Sequence, residues 1–374
     1  MQTGVAVKPK FVQKSSAITV ISIDAMGGDH GVGIVIDGMV RAANTLPEIN
    51  FILHGREQEI SALLSKQKTL KDRVQVRHAD DVVKMDDRPS RIMRHGKSTS
   101  MWSSLESVRQ KEASVAVSCG NTGALMALAM IRLRKAQGVK RPAIAILWPS
   151  LNPQGFNVML DVGADIRADA QDLKVFALMG ASYARNGLGL EQPRIGLLNV
   201  GTEDHKGKPE LHEANDIIAA DATTNKFKYV GFVEGGDIPS DKVDVIVTDG
   251  FTGNVALKTG EGTANLIGFR MREAFTRNIF SKISALLALR NLRYLRHKID
   301  PRQVNGGVFL GLNGTVIKSH GAADATGVEA AIRLAFQLSQ LGFNEKLAAR
   351  VAYGLQNSQD NDETDDDPIL GSDK

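Results

Sequence analysis

The stretch Ile18-Thr19-Val20-Ile21-Ser22-Ile23-Asp24-Ala25-Met26-Gly27-Gly28-Asp29-His30-Gly31 decides the fold class. Its first six residues are apolar or β-branched apart from one serine, the pattern of a buried strand. The glycines end that strand. Ile34-Val35-Ile36-Asp37-Gly38-Met39-Val40 then reads as a helix. A glycine-rich turn between strand and helix leaves backbone N–H groups free at the helix N-terminus, which suits an anion such as phosphate. The spacing is not the dinucleotide fingerprint G-x-G-x-x-G. A plain tight turn and an anion site both remain open.

The same alternation continues outward from this unit. Apolar strands are expected at Ile18–Asp24, Phe51–His54, Val74–Arg77, Ser114–Ser118, Ala143–Leu147, Asn157–Asp161, Ile195–Val200, Lys228–Val233, Val243–Thr248 and Thr315–Lys318. Helical patterns lie between many of them, at Met101–Glu112, Ala124–Arg134, Gln171–Arg185 and Lys208–Ala220. Strands alternating with helices predict an α/β fold with a mostly parallel sheet covered on both faces. Ligands bind such sheets outside the carboxyl ends of the strands. Five further strand-end loops gather glycines and polar residues: Ser118–Gly123, Asp161–Asp165, Asn199–Lys206, Thr248–Asn254 and Lys318–Gly321. These loops are expected to line one cleft.

Bulk properties narrow the class. The chain has 374 residues, 43% hydrophobic and 24% charged, enough for a large core and ordinary for a globular protein. Its single cysteine cannot form an internal disulfide, which fits a reducing cytoplasm. No apolar run approaches the roughly 18 residues that span a bilayer. Residues 1–16 lack the apolar segment of a signal peptide and are expected to form a disordered arm. The catalytic α/β domain is expected over residues 17–355, and residues 356–374 as a disordered acidic tail. Seven acids against one base give that tail a charge of −6, which leaves +10 on the rest of a chain of net charge +4. A basic body attracts anionic lipid, nucleic acid or an acidic protein. Aromatic residues are only 5%, which speaks against base stacking and nucleic acid.

The expected cleft offers hydroxyls, amides, glycine backbone and a few cations. It has no His-Glu-x-x-His, no cysteine pair and no Walker A sequence, so neither a metal nor a bound cofactor is expected. Such donors suit a phosphate or a developing oxyanion.

At these residues the chain resembles the bacterial phosphate acyltransferases. The resemblance rests on Asp24-Ala25-Met26-Gly27-Gly28-Asp29-His30, Gly120-Asn121-Thr122-Gly123-Ala124-Leu125-Met126, Asp249-Gly250-Phe251-Thr252-Gly253-Asn254 and the run from Gly311-Leu312-Asn313-Gly314 to Val316-Ile317-Lys318-Ser319-His320-Gly321. It extends from about Ile18 to about Gly354, with departures at Cys119 and Asp165. It implies a Rossmann-like three-layer α/β/α fold, related to phosphotransacetylase and to isopropylmalate dehydrogenase-like folds, and a homodimer. It also implies transfer of a long-chain fatty acyl group from acyl carrier protein to inorganic phosphate. The acyl phosphate would pass to a membrane glycerol-3-phosphate acyltransferase, placing the protein in the cytoplasm at the inner face of the membrane. A phosphotransacetylase acting on acetyl coenzyme A and a non-catalytic lipid-binding regulator are the rival functions.

On this reading Asp24, Gly27, Gly28, His30, Asn121, Thr122, Gly123, Glu203, Lys206 and Thr252 are candidates for binding phosphate or substrate. Lys318, His320 and Asn254 are candidates for oxyanion and charge support. Cys119 reads either as an acyl-accepting nucleophile or as a small buried residue. His54 and His78, on or beside strands, read as satisfied structural histidines.

Arg270–Arg302 stands apart. It carries nine lysines and arginines against Glu273 and Asp300. Phe275, Ile279, Ile283 and Leu286 recur on one helical face. A basic amphipathic helix points to an anionic membrane surface. Docking of the acidic carrier protein, or packing on its own domain or dimer mate, is also open. Arg290, Arg293 and Arg296 are the candidate surface residues.

Overall fold

The computed structural model describes residues 18–203, 205–299 and 306–363, without side chains at 296–299 and 355–363. The first four strands are β1 (Thr19–Asp24), β2 (Ile49–Gly55), β3 (Val74–His78) and β4 (Val115–Ser118). Then come β5 (Ala143–Pro149), β6 (Phe156–Leu160), β7 (Arg194–Leu198), β8 (Lys228–Val233), β9 (Val245–Val247), β10 (Gly307–Leu310) and β11 (Thr315–Lys318). They form one sheet in the order β3-β2-β1-β4-β11-β10-β5-β6-β9-β7-β8.

The helices are α1 (Gly31–Thr45), α2 (Glu57–Leu64), α3 (Pro89–His95), α4 (Ser100–Arg109), α5 (Thr122–Arg132) and α6 (Ala170–Leu188). After them come α7 (Pro209–Asp221), α8 (Gly250–Thr276), α9 (Ile279–Leu287), α10 (Leu289–Ile299), α11 (Ala325–Gln340) and α12 (Phe343–Glu363). They cover both sheet faces. On one, Val35, Ile36 and Met39 of α1 share a core with Phe176 and Leu178 of α6 and Val328 and Ile332 of α11. On the other, Met101 and Leu105 of α4 meet Leu125 and Leu128 of α5. Each such side chain, fully buried, contributes about 1.5–3 kcal/mol. The three-layer α/β/α architecture is as expected.

Strand direction reverses near the middle of the sheet, and the sequence reading did not foresee it. β11 is parallel to β4, but β10 is antiparallel to both β11 and β5, and β5 is antiparallel to β6. The carboxyl ends of β1, β4 and β11 therefore share one edge, and those of β6, β9 and β7 lie at the opposite edge. The expected single cleft is two groups of loops. Residues 24–30, 118–123 and 318–321 form one group. Residues 161–165, 199–206 and 248–254 belong to the other.

The basic segment also differs from the single helix expected. α8 ends at Thr276, and Asn278, in extended backbone, caps α9 by accepting from the Ser281 N–H at 2.8 Å. Ala288 separates α9 from α10. The apolar face is uncovered: Phe280 is 77% and Leu287 83% exposed, and Ile279, Ile283 and Leu286 are exposed too. Packing on its own domain is therefore excluded for these side chains. Arg290 and Arg293 are exposed, and the Arg296 side chain is outside the described residues. No described helix is long and apolar enough to cross a membrane. The backbone of α12 runs to Glu363, past the expected start of the acidic tail. The N-terminal arm and residues 364–374 lie outside the described residues.

Candidate functional site

Three strand ends build the site. Asp24 pairs in register with Ser118, and Ser118 with Lys318, so the last residues of β1, β4 and β11 stand side by side. The Asp24 carboxylate accepts from Ser118 Oγ at 2.7 Å, from Ser100 Oγ of α4 at 2.6 Å and from the Met26 N–H at 3.3 Å. Burial pushes its pKa up, and these donors oppose the rise. Asp24 thus ties two strands to the start of α4 beneath the first glycine loop.

The loops above it are tightly packed. A Cβ on Gly27 would lie 2.6 Å from Gly120 N and 2.8 Å from Asp24 Oδ2. Gly28 has φ +97°, and a Cβ there would come within 3.0 Å of both Cys119 Cβ and the Gly321 carbonyl. The Asp29 N–H donates to Gly321 O at 2.8 Å, and the Ser319 N–H to Ser118 O at 2.9 Å. α1 and α5 both begin at this edge. His30, exposed, is the N-cap of α1, and its side chain makes no capping hydrogen bond. The unpaired N–H groups of the first turns of both helices give the edge a positive potential.

Lys318 is buried, and Nζ donates to the Cys119 carbonyl at 3.4 Å and to the Ser319 carbonyl. Burial pushes its pKa down to about 8. His320 is exposed, and its Nδ1 accepts from the Ala322 N–H at 3.2 Å. The hydrogen of the neutral ring therefore sits on Nε2. Partial desolvation by the neighbouring loops lowers the pKa of this imidazole. Glu261 of α8 opposes that shift and Lys258 of α8 adds to it. Neither α8 residue was singled out in the sequence.

Several expected ligands have other occupations. Asn121 caps α5 by accepting from the Ala124 N–H at 3.0 Å, and its Nδ2 donates to the carbonyls of Met85 at 2.8 Å and Asp87 at 3.0 Å. Its amide is committed to holding the segment at 85–87 beside the site. Thr122 and Gly123 form the first turn of α5, and a Cβ on Gly123 would lie 3.0 Å from Pro89 Cγ. Cys119 is buried, and burial pushes its thiol pKa up, away from the thiolate form. His54 is buried between Ser22 Oγ at 2.9 Å and Ser103 Oγ at 2.8 Å, with a pKa lowered by burial to about 3. His78 pairs with Asp80 at 2.8 Å.

The remaining candidates sit at the opposite edge. Thr252 caps the start of α8 with Asp249, which accepts from its N–H and Oγ1, each at 2.8 Å. A Cβ on Gly163 would lie 3.5 Å from the Asn254 side chain. Glu203 and Lys206 form an exposed pair at 2.7 Å, each holding the other in its charged form. The reversal of strand direction is why these four residues do not join Lys318 and His320. Buried Asp161, named in the sequence only as the start of a strand-end loop, organises this edge by accepting from the N–H groups of Ile144 at 2.8 Å, Ala164 at 3.1 Å and Asp165 at 3.0 Å. Among the described residues no cluster of three or more His, Cys, Asp or Glu is placed to hold a metal ion.

Comparison with known proteins places the chain. Residues 19–346 match the model of a family described as fatty acid synthesis protein. A phosphate acyltransferase of Paracoccus denitrificans is 66% identical over 336 residues, covering 90% of this chain and 91% of that protein. One from Cereibacter sphaeroides is 64% identical over 341 residues, covering 91% and 92%. Among solved structures, a Streptococcus pyogenes phosphotransacetylase superposes with TM-score 0.54 at 18% identity over 86% of this chain and 94% of that one. The EutD phosphotransacetylase of Staphylococcus aureus gives 0.53 at 13% identity over 88% and 94%. The two structures share the fold. The family match and the sequence identity together show that the chain belongs to the fatty acid synthesis protein family, among its phosphate acyltransferases.

Proposed function

We propose that the chain transfers a long-chain fatty acyl group from acyl carrier protein to inorganic phosphate, at the edge formed by β1, β4 and β11. A phosphate oxygen attacks the thioester carbonyl carbon and the C–O bond forms. The tetrahedral oxyanion collapses, the C–S bond breaks, and the thiolate leaves with the electron pair. Phosphate is anionic near neutral pH, so no strong base is needed. A thiol of pKa about 8.5 leaves with little acid help. Positioning contributes roughly 7–11 kcal/mol and one oxyanion donor about 3 kcal/mol. The loop at Gly27 and Gly28, with the first turns of α1 and α5, holds the phosphate. Lys318 and the Nε2–H of His320 face the oxyanion.

One observation carries this reading: two helix N-termini and a buried lysine converge where β1, β4 and β11 end together. Palmitoyl carrier protein mixed with phosphate and this protein should yield palmitoyl phosphate by mass spectrometry, with a chelator present. Cys119→Ala should keep its rate within about threefold, because phosphate attacks directly. A folded variant slower by more than about 100-fold, roughly 2.7 kcal/mol, would mean an acyl-cysteine intermediate. Acetyl coenzyme A as the better donor would favour the phosphotransacetylase alternative.

The exposed helices α9 and α10 support peripheral contact with an anionic membrane, close to the acyltransferase that consumes acyl phosphate. Vesicles with anionic lipid should bind the protein more than neutral ones. Each lysine or arginine contributes about 1 kcal/mol near such a surface, and salt screens the attraction. Arg290→Glu, Arg293→Glu and Arg296→Glu together should lower co-sedimentation at least tenfold. Unaltered co-sedimentation would assign the apolar face to a homodimer instead.

A further inference from the structure

α8 crosses the sheet. It begins at Gly250, beside the carboxyl end of β9, and its middle reaches the opposite edge. The crossing is fixed by packing. A Cβ on Gly260 would overlap the indole of Trp148, near the carboxyl end of β5. β5 runs parallel to β11, two strands away, so its carboxyl end lies at the Lys318 edge. Gly260 thereby sets which turn of α8 stands over the site. Two residues on that turn, Lys258 and Glu261, are ion-paired at 2.8 Å. Both act electrostatically on His320, and Lys258 on Lys318 as well.

The two lysines there differ in what they can do. The Lys318 ammonium is enclosed and donates to two backbone carbonyls. The Lys258 side chain is 55% exposed, and Glu261, the carboxylate paired with it, is 27% exposed. Of the two lysines acting on His320, Lys258 is thus the one that solvent, and a phosphate arriving from it, can reach. An exposed pair of this kind is worth only about 0–1 kcal/mol. A phosphate held at the same time by backbone N–H groups can displace the carboxylate. We propose that Lys258 captures inorganic phosphate for attack on the thioester by exchanging Glu261 for it, and that Glu261 is a positioning residue that keeps the ammonium over the site while it is empty. This rests on the transacylase reading above and adds the residue that sets the affinity for the acceptor.

Steady-state kinetics with palmitoyl carrier protein and varied phosphate tests it. Lys258→Ala should raise KM for phosphate at least tenfold, with a smaller change in kcat, and Lys258→Arg should recover most of that loss. Glu261→Gln should leave KM for phosphate equal or lower, because the competing carboxylate charge is gone. A merely structural pair would make Lys258→Ala and Glu261→Gln alike, with the same fall in melting temperature and kcat. That result overturns the proposal, as does a KM for phosphate within twofold of wild type in Lys258→Ala. A rise in KM confined to the acyl donor also overturns it, because Lys258 would then read a phosphate on the donor. Wild-type protein with no phosphate-dependent thiol release overturns the transacylase reading itself, and this proposal with it.

Discussion

Lys318→Met lowers kcat by about 100–1000-fold, the range found for loss of one oxyanion donor, while the fold survives. The substitution keeps the length of the side chain and removes the charge. The ammonium is fixed between the ends of β4 and β11 by the Cys119 and Ser319 carbonyls, so it needs no reorganisation as negative charge develops on the thioester oxygen. Two opposite pH trends accompany it. With a folded pKa near 8 the ammonium loses its proton early, and kcat should fall as pH rises through about 8. Stability moves the other way. The folded pKa lies below the ordinary 10.5, so the unfolded chain binds more protons between these values and wild type gains stability relative to Lys318→Met as pH rises. Melting temperatures of the pair at pH 7, 9 and 10.5 check the second trend. A folded variant with kcat within threefold of wild type removes Lys318 from the chemistry.

Gly27→Ala has the second large effect. Its Cβ would meet Gly120 N at 2.6 Å and Asp24 Oδ2 at 2.8 Å, and neither neighbour can swing away. One is backbone, and the other is held by Ser100 and Ser118. Overpacking of this kind costs about 1–3 kcal/mol. Here it also pushes the first two loops apart, so the rate should fall more than 100-fold. Gly268→Ala, inside α8, is the matched control. A Cβ there meets nothing within 4 Å, so it should stabilise by about 0.5–1 kcal/mol, with the rate unchanged. Thermal unfolding and turnover of both variants separate loop geometry from general sensitivity. Equal activities in the two would show that the approach of Gly27 to Gly120 is irrelevant to catalysis.

The sequence reveals most of the sheet because its strands are runs of β-branched and aliphatic residues. β8 and β11 fall at the expected residues, and the other expected strands shift by at most a few positions. β10 was not legible. It is four residues long and begins at Gly307, directly after Gly306, and glycine is depleted in strands. The reversal itself falls between β5 and β6, where the short connection 150–155 makes an antiparallel hairpin and not a crossover. Reading that pair as part of a parallel alternation, because a strand's local pattern is the same either way, pooled Thr252, Asn254, Glu203 and Lys206 with Lys318. Residues at the ends of β1, β4 and β11 were legible because polar groups directly after apolar runs stand out. Lys258 and Glu261 were not, since a Lys/Glu pair three apart on a helix looks like any solvated face. The available signal was Gly260, a helix-interior glycine whose loss of helix propensity calls for a close neighbour.

The placement of β10 and β11 bears on how the chain acquires its structure. Val115 of β4 pairs with Thr315 of β11, and Ile144 of β5 with Phe309 of β10. Two central strands come from near the end of the chain and fill the gap between strands made far earlier. During synthesis at about 5–20 residues per second, the edges of β4 and β5 stay unpaired for roughly 10–40 seconds. Open strand edges are templates for intermolecular pairing. A nascent chain stopped before residue 306 would hold two half-sheets that cannot join, so commitment to the native sheet waits for residues 307–318.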